Sequence, residues 1–381
     1  MISGRALGVA ALAVALAACS SSKTHKPADL PDIVNSNLRL DKLWSSSPGS
    51  GDEGYFTEFK LALESDALYA ADAKGRVFAI NSRTGATVWK ADTKARLISG
   101  PSVGAAEVLV GTLDGEVIAL KRADGHSLWR SAVSSEVLAT PATDGERIVA
   151  RCVDGRIYGL SARDGVRLWS FDRTVPNLTL RGLSAPLISG PRVITGLDNG
   201  HVVSLKLGDG QLLWDQPIAV PTGRTELERL TDVDASLLEG EDALYAMSFG
   251  GELVAMDPAS GQVMWRRSIK SYTGAALLDN LLFVTDADGV LWALDARTGA
   301  AAWKQDLLQY RRLSAPVAVG QYIAVGDFEG YVHWIDPHDG KIVGRVRVGS
   351  DAIAAAPVAG DGALYVANVD GRIAAITAKS K

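Results

Sequence analysis

A short phrase built around glycine recurs about every 40 residues, and this repetition constrains the fold more than any other feature of the sequence. Each copy reads as strand, turn, strand, as in "VIALKRADGHSLWR" at 117–130. The turn glycines that mark the copies are Gly75, Gly115, Gly155, Gly200, Gly251, Gly289, Gly330 and Gly371. Repeats of this length with short strands predict a propeller or a solenoid array, because one unit cannot bury its own faces.

A tryptophan ends most of the copies. It follows a second turn glycine in six of them, at Trp89, Trp129, Trp169, Trp214, Trp265 and Trp303. The seventh copy has Gly344 at this position instead. We interpret the tryptophans as structural, each indole packing between adjacent units with its N–H bonded to a carbonyl. The alternative is a ring of aromatic side chains that stack on a sugar or a cofactor.

Each unit resolves into four strands, and the chain can close them into a ring. In the second unit the strands are "LISGPSV", "VLVGTL", "EVIALK" and "HSLWRSAV", and the third is apolar on both faces. The eighth unit reaches Lys381 before a fourth strand, whereas "LRLDKLW" at 38–44 places Trp44 where the repeat needs it. The sequence therefore predicts an all-β, eight-bladed β-propeller of four-stranded antiparallel blades, with the N-terminal strand closing the last blade.

The first residues carry a targeting signal rather than part of the fold. The apolar run "ALGVAALAVALAA" is too short to span a bilayer, and "LAAC" at 16–19 resembles the lipobox of bacterial lipoproteins. This resemblance implies a signal peptide at 1–18 and a lipid, such as palmitate, on Cys19, with Ser20 pointing to the outer membrane. The alternative is an ordinary secretory peptide with an incidental cysteine. Residues 19–38 are predicted to be a flexible tether and residues 39–381 the propeller.

Composition excludes several functions. The net charge of −5 argues against a nucleic-acid surface. Cys152 would be the single cysteine left beside Cys19, and its apolar surroundings in "RIVARCVDG" predict a buried, inert thiol. The five histidines show no metal-ligand spacing, and no nucleophile–base arrangement is present. We therefore predict no enzyme activity, no metal site and no cofactor.

The repeat itself resembles a known type. "ALDARTGAAAW" at 293–303 resembles the tryptophan-docking motif of quinoprotein dehydrogenases, the PQQ-like repeat. Those enzymes carry adjacent cysteines and calcium-ligating carboxylates, and this chain has no adjacent cysteines. A periplasmic PQQ-dependent dehydrogenase or quinone-binding protein remains the alternative function. A polysaccharide-binding lipoprotein is a third hypothesis, disfavoured by the small apolar residues of the innermost strands, "SAPVAV" and "AAPVAG".

A lipobox followed by eight such repeats is similar to the BamB family, the lipoprotein subunits of the outer-membrane β-barrel assembly machinery. The resemblance is strongest in "VPNLTLRGLSAP" at 175–186 and "TGRTELERLTDVDAS" at 222–236. It implies a scaffold at the periplasmic face of the outer membrane that docks on the POTRA domains of BamA and, through BamA, joins the other subunits. Such a scaffold assists folding and insertion of outer-membrane β-barrel proteins, and unfolded outer-membrane proteins are a further candidate partner.

The same two stretches also stand out by spacing. The extra residues of the fourth and fifth units fall between the outer strand of one blade and the inner strand of the next, on one face of the ring. Enlarged loops on a rigid scaffold are where function concentrates. The resemblance assigns contact with BamA to Leu178, Leu180, Arg181, Asp232 and Asp234. The alternative is that the leucines tuck under their loop and Arg181 pairs with an aspartate of the next loop.

Overall fold

The chain forms strands throughout the part that can be described. The structure is a computed structural model and describes residues 25–33, 38–54, 59–174, 176, 178–179, 184–220, 225 and 230–380. The regular elements within those residues are all β-strands. No helix in that part of the chain is long and apolar enough to cross a bilayer. The predicted signal peptide and Cys19 lie outside the described residues.

The strands are numbered in chain order. After the first strand, each group of four consecutive strands forms a blade, and the last three strands form blade 8 together with the first. The first strand and blades 1 to 4 are β1 (Leu38–Ser46); β2 (Ala62–Glu64), β3 (Ala67–Ala71), β4 (Arg76–Asn81), β5 (Thr87–Asp92); β6 (Ser102–Val103), β7 (Glu107–Gly111), β8 (Glu116–Lys121), β9 (Ser127–Ala132); β10 (Ala142–Thr143), β11 (Arg147–Arg151), β12 (Ile157–Ser161), β13 (Arg167–Phe171); β14 (Leu187–Ser189), β15 (Arg192–Gly196), β16 (His201–Lys206) and β17 (Leu212–Pro217). Blades 5 to 8 are β18 (Leu238–Glu239), β19 (Leu244–Met247), β20 (Glu252–Met256), β21 (Val263–Ser268); β22 (Ala275–Leu278), β23 (Leu281–Thr285), β24 (Leu291–Asp295), β25 (Ala301–Gln305); β26 (Val317–Val319), β27 (Tyr322–Gly326), β28 (Tyr331–Ile335), β29 (Ile342–Arg347); and β30 (Val358–Gly360), β31 (Ala363–Ala367), β32 (Ile373–Ser380) with β1.

The eight sheets are antiparallel and four-stranded, and the predicted ring closure is confirmed. Seven sheets are simple meanders, while the eighth has the order β1-β32-β31-β30. Within it Leu38 pairs with Ser380 and Trp44 with Ala375, with a bulge between Lys42 and Trp44. The innermost strand of blade 8, β30, contacts the innermost strand of blade 1, β2. The N-terminal strand therefore completes the last blade, as the sequence predicted.

The hydrophobic core lies between blades rather than within one. Leu68 and Ile80 of blade 1, for example, pack in one cluster with Tyr365 and Ala375 of blade 8. The middle strands contribute both of their faces, so that every residue in β8 from 117 to 120 is at most 2% exposed. Burying a large apolar side chain stabilises a fold by about 1.5–3 kcal/mol. A blade separated from its neighbours would lose this stabilisation on both faces.

The repeated tryptophans are structural, as predicted. Each indole N–H donates to a carbonyl of the next blade at 2.8–3.3 Å; the pairs are Trp44–Ser82, Trp89–Arg122, Trp129–Ala162, Trp169–Leu207, Trp214–Pro258, Trp265–Ala296 and Trp303–Pro337. The ring covers the turn glycine there: a Cβ at Gly125 would lie 2.6 Å from the Trp89 ring. Gly125 also has a φ of 75°, which L residues with a side chain rarely adopt.

Part of the predicted tether is bound to the ring. Residues 25–33 run against blade 7, where the N–H of Ala28 donates to the carbonyl of Gln309 at 2.9 Å. This segment has no regular secondary structure. A flexible tether was expected at 19–38, and in this portion the chain instead follows the surface of the propeller.

Candidate partner-docking face

One face of the ring carries both the turns between second and third strands and the connections between blades, because strands in a meander alternate in direction. We call it the loop face. In seven blades a backbone bond joins the preceding connection to the turn: the carbonyl of Arg96, for example, accepts from Leu113 N–H at 2.9 Å. The carbonyl of Lys270 accepts from Ala287 N–H at 2.8 Å in the same way. These bonds therefore hold one point of each such connection against the rigid ring.

The turns of the loop face are held by a side-chain oxygen three residues before the turn glycine. In six blades this oxygen accepts the N–H of the residue that follows the turn; the acceptors are Asp72, Thr112, Ser248, Asp286, Asp327 and Asn368. Cys152 occupies the same position in blade 3 and is buried, as predicted. Burial raises the pKa of its thiol to about 11, so the group is protonated and unreactive at neutral pH.

Three connections on the loop face are long: the one between β1 and β2 at 47–61, and two neighbouring ones, which we call the first and second enlarged connections. The chain between β5 and β6 covers 93–101, whereas that between β13 and β14 covers 172–186 and that between β17 and β18 covers 218–237. Strands β13 and β17 both end on the loop face, so both enlarged connections leave from it. The predicted placement of the extra residues, between the outer strand of one blade and the inner strand of the next, is confirmed.

The five residues predicted to contact a partner occupy different surroundings. Leu178 is 46% exposed, which suits an apolar contact residue. Asp234 is half-buried and Asp232 is fully buried. Leu180 and Arg181 lie outside the described residues. Of the three described residues, Leu178 alone has an exposed side chain.

Asp232 is buried because it belongs to the scaffold. Its carbonyl accepts the N–H of Phe249 at 2.8 Å, the same connection-to-turn bond that Arg96 and Lys270 make. The next residue, Val233, is also buried and lies against Gly196, where a Cβ would be 2.4 Å from Val233 Cγ1. The last part of the second connection is thus a packed joint between blades 4 and 5.

An ion-pair network fixes the start of the first enlarged connection. Arg173 binds Asp215 on the outer strand of blade 4 at 2.5 Å, and Asp215 also contacts His201 Nδ1 at 2.6 Å. The guanidinium of Arg173 lies 5.3 Å from the centre of the Phe171 ring, a cation–π distance. Sequence reasoning did not find this residue, because Arg173 precedes the stretch in which the family resemblance is strongest.

A buried ion pair lies where blades 3 and 4 meet. Arg151 at the end of β11 pairs with Asp198 in the turn of blade 4, and both side chains are at most 3% exposed. Removing one partner of such a pair leaves a charge in a water-poor site, which destabilises a protein by about 3–5 kcal/mol. The pair therefore holds together the two blades that carry the first enlarged connection.

A second exposed apolar residue was also missed. Val220 is the third residue of the second enlarged connection. It is 69% exposed, the highest value among the large exposed apolar side chains of the described residues. The sequence did not single out Val220, because it precedes the stretch 222–236 in which the family resemblance is strongest. Together these two residues give each enlarged connection one exposed apolar side chain.

The described residues give little support to a quinone or metal site. Among them no group of three or more His, Cys, Asp or Glu side chains is arranged to hold a metal ion. A cavity between blades 8 and 1, lined by Phe78, Asn368 and Ile373, measures about 40 Å³. That volume is on the order of one or two water molecules. Two larger spaces, of about 390 and 520 Å³, are open grooves beside Arg163 and Arg122.

Comparison with known proteins gives the family. The family model described as outer membrane protein assembly factor BamB matches residues 73–305 and 293–380. The BamB of Pseudomonas aeruginosa is 45% identical over 99% of this chain and 100% of its own length. The chain belongs to the BamB family. The BamB of Escherichia coli K12 is 33% identical, with 94% of each chain covered.

Solved structures agree with this membership. The crystal structure of BamB from Moraxella catarrhalis has a TM-score of 0.82 and 25% identity, covering 89% of this chain and 100% of that one. A quinohemoprotein alcohol dehydrogenase from Comamonas testosteroni has a TM-score of 0.69 at 13% identity, over 88% of this chain and 76% of that one. The likeness to the dehydrogenase concerns the fold alone, whereas the BamB relatives are named as assembly factors.

Proposed function

We propose that this BamB-family chain is a non-enzymatic scaffold lipoprotein of the outer-membrane β-barrel assembly machinery. It docks on the POTRA domains of BamA and so assists folding and insertion of outer-membrane β-barrel proteins. Similarity to BamB proteins over nearly the whole chain carries this proposal. Direct contact with unfolded outer-membrane proteins stays a prediction.

The loop face supplies the docking surface in this proposal. Leu178 and Val220, on neighbouring connections, give two apolar contacts at the surface of a rigid ring. Leu180 and Arg181, on the same connection as Leu178, also contact the partner in this proposal. Asp232 acts indirectly, by fixing where the second connection returns to the ring, because its own side chain has no exposed surface. Asp234, half-buried, lies at the border of the contact.

The anchor in this proposal is the lipid on Cys19, which holds the propeller at the periplasmic side of the outer membrane. Two or three acyl chains give stable attachment where a single chain would be marginal. Labelled palmitate should enter the native chain and be absent from a Cys19→Ala variant, which should appear in the soluble periplasmic fraction. An unlabelled native chain would contradict the anchor while leaving the docking surface untouched.

The docking surface is tested with two matched substitutions. Leu178→Asp is compared with Leu128→Asp on β9 of blade 2, because both leucines are 46% exposed. We expect Leu178→Asp to weaken binding to purified BamA POTRA domains at least about tenfold, measured by biolayer interferometry. Leu128→Asp should bind like the native chain. Equal affinities for both variants, with unchanged circular dichroism, would show that the loop face is not the docking surface.

A further inference from the structure

The segment 25–33, here called the leader segment, is bound to blade 7 by specific contacts. Besides the Ala28–Gln309 backbone bond, the carbonyl of Ala28 accepts from Arg311 Nη1 at 3.0 Å. Farther along, the carbonyl of Pro31 accepts from Arg345 Nη2 at 3.2 Å. Before these bonds, the ring of His25 stacks on Tyr310 with centroids 4.4 Å apart. The leader segment therefore contacts the ring at three successive points.

The groups that receive the leader segment are held in place by the propeller. We call Gln309, Tyr310, Arg311 and Arg345 the latch site. Arg311 is 4% exposed and pairs with Asp327 and Glu329. Its guanidinium also lies 5.2 Å from the centre of the Phe328 ring. A guanidinium positioned in this way can donate to a peptide carbonyl with little loss of side-chain freedom.

The backbone of the latch site is itself unusual. Tyr310 has a φ of 59°, in the left-handed region that residues with a Cβ rarely occupy. Its N–H donates to Asp288 O at 2.7 Å, so the neighbouring turn of blade 6 holds this conformation. Strained backbone of this kind concentrates at binding sites. Here it presents the Tyr310 ring to His25.

The latch site is on the loop face. Residues 309–311 belong to the connection between β25 and β26, and the carbonyl of Arg311 makes the connection-to-turn bond to Phe328 N–H at 3.1 Å. The leader segment thus reaches the ring on the same face as the two enlarged connections. A chain that left the ring at β1 alone could approach from any side.

Docking also shortens the link to Cys19. Five residues lie between Cys19 and His25, so the two can be at most about 20 Å apart when the chain is fully extended, whereas the chain from Cys19 to Leu38 can span about 65 Å. A propeller attached through the shorter link has far fewer orientations available near a bilayer.

We infer that the leader segment and the latch site together orient the propeller, holding the loop face toward the membrane that carries the anchor. The inference rests on the lipid anchor of the proposed function. It gives the enlarged connections a fixed position relative to that membrane. The partner surface and the anchor then act on the same side of the ring.

Docking of the leader segment is tested by hydrogen exchange on the full lipidated chain in proteoliposomes. The Ala28 N–H should exchange at least about tenfold more slowly than in a free peptide of sequence 25–33, because Gln309 O protects it. Asp29→Ser is the control and should keep this protection, since the Asp29 side chain is 91% exposed and pairs with Lys26 inside the leader segment. Exchange at the rate of the free peptide would overturn the inference.

Orientation is tested with a fluorophore at Ser350→Cys on the loop face or Gln321→Cys on the opposite face, both in or beside blade 7. Spin-labelled lipid headgroups should quench the Ser350 label severalfold more than the Gln321 label. Replacing 25–33 by a Gly-Ser linker of equal length should bring the ratio to about one. Equal quenching in the native chain would overturn the inference.

A third measurement separates this inference from the proposed docking. The Gly-Ser variant should keep native affinity for BamA POTRA domains in solution, because the enlarged connections are unchanged. If the native chain carries no lipid by mass spectrometry, the orienting role is wrong, whatever the POTRA affinity. If orientation is observed but POTRA domains do not bind, the proposed docking is wrong, whereas the orienting role of the leader segment is supported.

Discussion

Trp334 of β28 lies directly opposite Gly344 of β29, in the reverse of the arrangement found in the other blades. Elsewhere the third strand has the small residue and the fourth strand has the indole, as in the pair Ala119–Trp129. Trp334 is fully buried and packs with Leu38 and Leu364 at the interface of blades 7 and 8. Blade 7 therefore also contains a tryptophan at this pair of positions, but on its third strand, β28, instead of its fourth.

The reason for this reversal is the ring closure. A tryptophan on a fourth strand docks on the turn between third and fourth strands of the next blade. In blade 8 those strands are β32 and β1, which come from opposite parts of the sequence and have no turn between them. An outer indole at 344 would have no turn to cover, and Leu40 of β1 occupies the place instead, 2.9 Å from where a Cβ of residue 344 would lie.

Exchanging these two residues tests the relationship. Trp334→Ala should destabilise the protein by about 3–5 kcal/mol through a cavity, and Gly344→Trp by about 1–3 kcal/mol through overpacking against Leu40. The double variant should lose less than the two single variants together, because the emptied site can accept the new indole. Urea unfolding followed by tryptophan fluorescence measures all three. Strict additivity would show that the two positions do not share one site.

The second enlarged connection is tested by a valine pair. Val220→Asp should weaken binding to BamA POTRA domains about tenfold, because a charge would replace an exposed apolar contact. Val88→Asp on β5 is the control, since Val88 is 61% exposed and Val220 is 69% exposed. Calorimetric titration measures both affinities. A similar loss in the two variants would indicate a general effect of the new charge rather than a contact at Val220.

Cys152 predicts a loss of stability at alkaline pH. Burial raises the pKa of this thiol from 9.0 to about 11, so folding favours its protonated form. The stabilisation is complete below pH 9 and is lost as the pH rises from 9 to 11, because the unfolded chain releases the proton first; it amounts to about 2–3 kcal/mol. Urea midpoints between pH 8 and 11 measure this loss.

Cys152→Thr is the control for this pH dependence, since Thr112 occupies the corresponding position in blade 2. The variant should lack the thiol's part of the alkaline decline while staying close to native stability at pH 7. Ellman's reagent should label native Cys152 only after unfolding. Rapid labelling of the folded chain at pH 8 would contradict the raised pKa.

Replacing one residue of the Arg151–Asp198 pair should destabilise the protein more than replacing both. Arg151→Met should cost about 3–5 kcal/mol, because it leaves the Asp198 carboxylate buried beside an apolar side chain. The double variant Arg151→Met/Asp198→Leu should recover much of this loss. Arg96→Met, at an exposed pair with Asp114, should leave the unfolding midpoint unchanged. A small effect of Arg151→Met would mean that the pair is hydrated.

The sequence predicted the features that depend on local repetition. Eight turn glycines and the recurring tryptophans predict the eight blades. They also predict that the tryptophans pack against the next blade and that residues 38–44 close the ring. It also predicted two of the three long connections, 172–186 and 218–237, because their extra length is visible in the spacing of the repeats. The connection 47–61 precedes the first turn glycine and was not predicted.

The sequence could not predict features that depend on contacts between distant segments. The family resemblance assigned Asp232 to the partner contact, but its carbonyl makes the connection-to-turn bond to Phe249 and its side chain is buried. This bond is visible only in the structure, where it shows that Asp232 corresponds to Arg96 and Lys270 of the other connections. Polar, proline-containing residues predicted a flexible tether, yet Arg311 and Arg345, about 300 residues away, bind the carbonyls of 25–33.

The pairing of β1 with β32 makes the propeller dependent on its two most distant strands. Chain synthesis and export deliver β1 first, yet its edge stays open until β32 has arrived. Such long-range pairing slows folding, because a large loop must close before the contact forms. A truncated or half-exported copy would keep an unpaired strand edge beside an exposed blade face, a state that proteases and chaperones of the cell envelope can recognise.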